Sequence, residues 1–349
     1  MTFKDKNVIQ SYFIGWFLAS VIWQLLWNTD RVDVNAYLAT FQGKLTIFVL
    51  AWLFQAIGFG ALHLLIEHYI KGKVRFVKLI AFTLTLQFIT GVALLTCLFF
   101  LFRYLGIVEA NVSLSKFYSQ KVIHVAFIFA LLTNFSIVLF IYINLVLGNG
   151  NLWKIITGKF YTPRVEERIF MFLDLRGSTT IAEKLGHVKY SRLIQDCFYD
   201  LAVVHNHKAE IYQYVGDEVV LAWNVKDGLQ HHNCLHAFYA FRDVLNSRKD
   251  HYKMNYETVP VFKAGVNMGK ITITKVGEFK REIAYHGDTI NTASRIQGEC
   301  NRLGSDLLVP GHLLDKLQTI DTLKAELKGE VQLKGKVKSI NIYAIDGRS

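Results

Sequence analysis

Residues 168–180 read RIFMFLDLRGSTT. Five apolar residues follow Arg168 without polar alternation and end at Asp174, the pattern of a strand covered on both faces. The turn Leu175-Arg176-Gly177-Ser178-Thr179-Thr180 comes next, and helical periodicity then runs through Leu185. A strand, a Gly/Ser/Thr turn and a helix start aim free backbone N–H groups at one point, which suits a phosphate. Asp174 stands where a divalent cation bridging phosphates would sit. Many strand–helix turns carry such an acid only as a cap, so this stretch alone fixes a strand–helix unit and leaves the phosphate open.

Downstream residues narrow the reading. The β-rich runs Glu210–Val215 and Glu218–Trp223 meet at Gly216-Asp217, a hairpin signal, with a helix predicted before them over Lys189–Val204. Asp217 falls at the hairpin tip, 43 residues after Asp174. Two such acids at one edge suit two Mg²⁺ or Mn²⁺ ions and in-line phosphoryl chemistry. Phe262–Gly269 and Ile271–Gly277 read as two further strands. In Ala284–Arg295 (AYHGDTINTASR) Asp288 is placed to cap a helix on which Asn291 and Arg295, four apart, share a face. An amide beside a guanidinium can orient a ribose and meet charge developing on a phosphate. Leu333–Tyr343 (LKGKVKSINIY) reads as a strand pair turning at Lys334-Gly335-Lys336.

Upstream the composition changes. The 349 residues are 52% hydrophobic and 19% charged, with a net charge of +11. Through Arg164 the chain has 14 Lys/Arg and 5 Asp/Glu, so most of the excess sits in the apolar part. Basic residues flanking apolar runs are a membrane pattern, which argues against a nucleic-acid polymer as partner. Val8–Trp27, Leu45–Ile70, Val77–Phe102 and Val122–Leu147 are each long enough to span a bilayer, which takes about 20 helical residues. Basic residues concentrate on one side, above all at Lys71–Lys78, and predict both termini in the cytoplasm of a multi-pass protein of the inner or plasma membrane. His63 and Glu67 share a face of the second span, with His68 and His124 nearer the boundaries; a pair between helices and interfacial placement account for them, and a ligand-sensing role stays open. The expected organisation is a transmembrane domain of four helices (1–148) in contact with lipid, a linker (149–165) around Pro163, and a cytoplasmic domain (166–349). Cys97, Cys197, Cys234 and Cys300 lack metal or disulfide spacing. His231, His232 and His236 read as the solvent face of a helix, and His205 and His207 as surface.

The set FLDLRGST, YQYVGDEVV, FKAGVNMGK, GDTINTASRI and LKGKVKSINIY resembles the class III nucleotidyl cyclase catalytic domain, in order, over Arg168–Tyr343. The resemblance implies an α+β ferredoxin-like fold and a head-to-tail homodimer with shared active sites. It further implies cyclisation of ATP or GTP by attack of the ribose 3′-OH on the α-phosphate. Carried onto this chain, Asp174, Leu175 and Asp217 match the metal positions and Asn291 and Arg295 the transition-state pair. Gly177, Ser178 and Thr179 match the phosphate turn, Gln213 and Ala284 the base-reading positions, and Lys336 the triphosphate lysine, with Lys334 a substitute. Family adenylyl cyclases usually carry Lys and Asp where Gln213 and Ala284 stand, and guanylyl cyclases Glu and Cys. A Gln amide reads either base and Ala284 adds no hydrogen bond, so the lean is to ATP, with GTP as the alternative. A diguanylate cyclase is disfavoured because Val215, not Gly, precedes Gly216. A non-catalytic nucleotide-binding receptor would fit the loss of a charged position, and all are present.

Overall fold

The computed structural model describes residues 3–26, 41–70, 76–104, 112–148, 151–158, 162–278, 282–317, 323–334 and 339–347. The chain divides into two compact units, Met1–Leu147 and Gly148–Ser349.

The first unit is helical: α1 (Phe3–Leu26), α2 (Phe41–Ile70), α3 (Phe76–Tyr104), the short α4 (Leu114–Tyr118) and α5 (Lys121–Leu147). Three stretches among the described residues are long and apolar enough to cross a membrane: Asp5–Leu26, Ala81–Leu101 and Ile123–Leu147. The second predicted span is helical throughout, but its described apolar stretch is the shorter Trp52–Ile66. Aromatic packing joins α1 to α2, with Trp16 stacked on Phe59 and Trp52 donating to the Phe13 carbonyl at 2.9 Å. Gly15 of α1 lies directly against Ile137 of α5. The Nδ1 atom of His63 in α2 is 3.3 Å from the Tyr12 hydroxyl of α1. The Glu67 and His68 side chains lie outside the described residues, and His124 is exposed.

The second unit opens with α6 (Asn151–Ile156) and continues β1 (Arg164–Leu175), α7 (Ser178–Asp200), a 3-10 turn, β2 (Glu210–Val215), β3 (Glu218–Asn224) and α8 (Val225–Leu229). Then follow α9 (Asn233–Ser247), α10 (Lys249–Tyr256), β4 (Phe262–Val276), β5 (Glu282–His286), α11 (Asp288–Gly298) and α12 (Cys300–Leu303). It closes with β6 (Leu307–Pro310), α13 (Gly311–Leu317), β7 (Leu323–Val331) and β8 (Ile340–Gly347). The strand order is β2-β3-β1-β4-β6-β8-β7, with β5 on β4. Within it, β2-β3-β1-β4 is antiparallel, the split βαβ arrangement expected of a ferredoxin-like domain, while β4 and β6 pair in parallel and make the sheet mixed.

The apolar run in β1 is buried on both faces, as its composition requires. Ile169, Met171, Leu173 and Leu175 pack into the large core with α7 and α9, and Phe170 and Phe172 pack into a second core with Ile271, Ile273 and Ala293. Period-two alternation puts Asp174 on the Phe170–Phe172 face.

Several local expectations change. The two runs in 262–277 form one strand, because Lys270 continues the ladder opposite Glu167 of β1. Strand β1 starts at Arg164, inside the stretch read as linker. The helical run through Leu185 and the helix expected over Lys189–Val204 form one helix α7, kinked between them at Gly186 (φ 71°) and giving way to the 3-10 turn at Leu201. Asp288 is the first residue of α11 and Gly287 occupies the cap. Strand β8 pairs with Leu323–Val331, so Lys334 follows β7 rather than opening a strand pair, and Gly335 and Lys336 of the expected turn lie outside the described residues. Helix α9 turns Cys234 fully into the core, while His232 and His236 are half-buried, with the His207 and His236 rings 6.3 Å apart.

Candidate active site

Strand pairing places the first acid. In register, Asp174 lies between Glu218 of β3 and Lys263 of β4. The Lys263 ammonium is 3.2 Å from Asp174 Oδ2, and the Gln297 amide of α11 donates to the same oxygen at 3.2 Å. Both partners take Oδ2, and Oδ1 has no hydrogen-bond partner among the described residues. Burial raises the Asp174 pKa; Lys263 opposes that rise and the charge of Asp217 adds to it.

The β2–β3 hairpin places the second. Gly216 takes the left-handed conformation (φ 64°) that a tight turn needs, and Asp217 follows it. Asp217 Oδ2 is buried with no hydrogen-bond partner among the described residues. Burial and the charges of Asp174 and Asp217 push Glu218 up to about 7. Burial and the charge of Asp217 push the Tyr190 hydroxyl of α7 up to about 12. Negative charge is therefore concentrated here, with Lys263 supplying one compensating cation.

The Gly177 turn runs from β1 into α7. Gly177 is left-handed (φ 69°, ψ 26°), the cap position, with no side-chain cap on the N–H groups of the first turn. Those donors stay available at the positive end of the helix dipole. Ser178 is half-buried and Thr179 exposed. The Leu175 side chain lies in the core, so only its backbone can face a ligand.

Helix α11 crosses β4 at very close range. A Cβ on Gly265 would sit 2.1 Å from the Gln297 nitrogen, and one on Gly269 2.6 Å from Thr289 Oγ1. Between them Asn267 donates to the Thr289 carbonyl at 3.0 Å. The pattern of FKAGVNMGK thus seats a helix: Lys263, Gly265, Asn267 and Gly269 alternate onto one face of β4. Gln297, 6% exposed, points inward to Asp174. Asn291 and Arg295 lie about 40° apart on the helix and about 120–160° from Gln297, at 100° per residue. Accordingly Asn291 is exposed and Arg295 half-buried.

The fold thus brings Asp174, Asp217 and the Gly177–Thr179 turn to one edge, and turns Asn291 and Arg295 away from their own chain's carboxylates. Gln213 is exposed on β2, and Ala284 is half-buried on β5 opposite Thr274. Lys334 is exposed, whereas Lys336 lies outside the described residues. Lys263, Gln297, Glu218 and Tyr190 were not singled out from sequence. A lysine opening an otherwise apolar strand was the one signal available, for Lys263.

Among the described residues no group of three or more His, Cys, Asp or Glu is poised to cage a metal. Two carboxylates, one with a buried unpartnered oxygen, nevertheless fit a hard divalent cation whose other ligands are water and phosphate oxygens.

The family model for the adenylate and guanylate cyclase catalytic domain matches residues 160–347. Adenylate cyclase 2 of Rhizobium meliloti (strain 1021) is 28% identical over 223 residues, covering 64% of this chain and 61% of the relative. Retinal guanylyl cyclase 2 of Bos taurus is 27% identical over 171 residues, covering 47% and 15%. The chain thus spans less than two thirds of either relative's length. The crystal structure of the adenylyl cyclase CyaB from P. aeruginosa aligns with 19% identity and a TM-score of 0.47, over 54% of this chain and 97% of that one. With the family model covering more than half of its length, this chain belongs to the adenylate and guanylate cyclase catalytic domain family.

Proposed function

We propose that this protein is a membrane-anchored, homodimeric nucleotidyl cyclase that converts ATP to cyclic AMP and pyrophosphate. The observation that carries the reading is the pairing of Asp174 with Asp217 beside the uncapped α7 turn, while Asn291 and Arg295 face outward from the same chain. One chain then holds the metal and phosphates, and a second chain in head-to-tail arrangement supplies the Asn/Arg pair, giving two shared sites.

Asp174, Asp217 and the Leu175 backbone carbonyl would hold two Mg²⁺ or Mn²⁺ ions, which when bound acidify the 3′-OH and neutralise phosphate charge. The N–H groups of Gly177, Ser178 and Thr179 bind the phosphate chain, and Lys336 or Lys334 meets its far end. Asn291 orients the ribose so that O3′ lies in line with the α-phosphorus. The new O3′–P bond forms as the bond from the α-phosphorus to the α,β-bridging oxygen breaks and pyrophosphate departs, the 3′ proton passes to solvent water, and Arg295 meets the charge that develops. Gln213 offers an amide edge to the base, and Ala284 leaves its position without a hydrogen bond. That pairing discriminates weakly, so cyclic GMP formation from GTP is the second reading. The similarity to both an adenylate and a guanylyl cyclase accords with either.

Four helices, including α2, would span the membrane with both termini cytoplasmic, as the basic flanks favour. Full-length protein in lipid, given ATP or GTP with Mn²⁺ or Mg²⁺ and analysed by mass spectrometry, tests the activity. Cyclic AMP that disappears with Asp174→Ala supports it. No cyclic product from either nucleotide, in a dimer that binds both, overturns it in favour of a non-catalytic receptor.

A further inference from the structure

Helix α11 has two working faces. Its outer face carries Asn291 and Arg295. Its inner face carries Gln297, whose amide donates 3.2 Å to Asp174 Oδ2, the oxygen also held by Lys263. The helix cannot slide without consequence, because its backbone lies on β4 at Gly265. Gln297 is buried and its side-chain amide hydrogen-bonds to a residue 123 positions away in sequence. We propose that Gln297 is a positioning residue that ties the metal-holding carboxylate of one active site to the helix serving the other. The proposal rests on the shared-site reading given above.

Two consequences follow. Within its own chain, Gln297 fixes the Asp174 carboxylate so that Oδ1 stays presented to a divalent cation. A partner that orients a metal ligand is typically worth about 10–100-fold in metal affinity. Across the dimer, the same bond registers α11, and with it Arg295, against the state of Asp174. Metal loading at one site therefore steadies the Asn/Arg pair offered to its neighbour.

The experiment uses full-length chains carrying two different tags, co-expressed in a membrane and purified as mixed dimers. One chain carries Asp217→Ala and its partner Arg295→Ala, so only one site retains both its acids and its Asn/Arg pair. Gln297→Met is then placed in either chain. In the chain that supplies the acids it is expected to raise the metal concentration for half-maximal rate about tenfold with little change in kcat. In the chain that supplies Asn291 and Arg295 it is expected to lower kcat and leave the metal requirement unchanged. The same effect from either placement, or none from both, overturns the coupling.

Mixed dimers with no activity would instead reject the shared site itself. The brace is then decided separately by Mn²⁺ titration of unmixed wild-type and Gln297→Met protein, followed by the paramagnetic resonance of free Mn²⁺ without nucleotide. Binding about tenfold weaker supports the positioning role, and equal binding overturns it.

Discussion

Gly265→Ala is the sharpest test of how this domain is built. The new Cβ would fall 2.1 Å from the Gln297 nitrogen, 2.6 Å from its Cα and 2.7 Å from the Ala293 carbonyl oxygen, all backbone atoms. Strand β4 cannot retreat, since Gly265 pairs with Phe172 of β1 on one side and Leu308 of β6 on the other. The helix must move instead. Ordinary van der Waals contact begins at 3.4 Å, so relief from 2.1 Å asks for about 1.3 Å of displacement. The Gln297–Asp174 bond, already 3.2 Å, then opens beyond hydrogen-bonding range. Overpacking of this kind costs about 1–3 kcal/mol, or roughly 2–4 °C in Tm per kcal/mol for a unit of this size. Displacing Arg295 by about 1 Å is expected to cost turnover on the order of 100-fold, far more than the stability loss explains. The assay is cyclic-nucleotide formation by full-length protein in lipid beside its thermal unfolding. Gly298→Ala, on the same helix with open space around the added Cβ, serves as the control and is expected to leave turnover unchanged while raising stability by up to about 1 kcal/mol. Native turnover from folded Gly265→Ala protein would refute the claim that helix seating sets the site.

Other outcomes follow from particular contacts. Asp200 is buried, accepts from the Tyr252 hydroxyl at 2.6 Å and is ion-paired with Arg248; Asp200→Ala should destabilise the second unit by about 3 kcal/mol, and an unchanged thermal midpoint would show the network to be idle. Burial lowers the pKa of His207 and His236 from 6.5, and the charges of His207 and His232 lower His236 further. The unfolded chain therefore binds more protons as pH falls through 6.5 toward the folded values, so stability present above 6.5 is lost below it. Replacing both histidines with Gln should flatten that loss in unfolding curves taken across the window; an unchanged slope would assign it elsewhere. In the first unit Asn134 is fully buried with neither amide atom partnered among the described residues, whereas Asn144 donates back to the Phe140 carbonyl at 3.0 Å. Asn134→Leu should thus stabilise that unit by about 1 kcal/mol or more in a lipid unfolding assay, and destabilisation would reveal a partner.

Much of the architecture was legible in the residues because it is written in local patterns. Five unbroken apolar residues after Arg168 require cover on both faces, and β1 has two cores, one on each side. The Gly216-Asp217 pair announced its hairpin and the Gly177-Ser178-Thr179 run its turn, and both glycines adopt the positive φ that such turns use. Five ordered motifs named the family over the residues that its model matches.

Other features depend on how elements meet, and no local pattern holds that information. That 262–276 is one strand follows from an unbroken ladder with β1, which offsets the break suggested by its glycines. Those glycines proved to be seats for a helix: Gly265 and Gly269 are bare because α11 leaves no room for a Cβ. Lys263 and Gln297 reach Asp174 only because register fixes one beside it and helix rotation aims the other, across sequence separations of 89 and 123 residues. Side-chain chemistry and periodicity alone dictate which residues can bear charge and which runs must be buried. Which oxygen of Asp174 is occupied and which face of α11 is left outward emerge only when the elements pack, because both depend on docking angles.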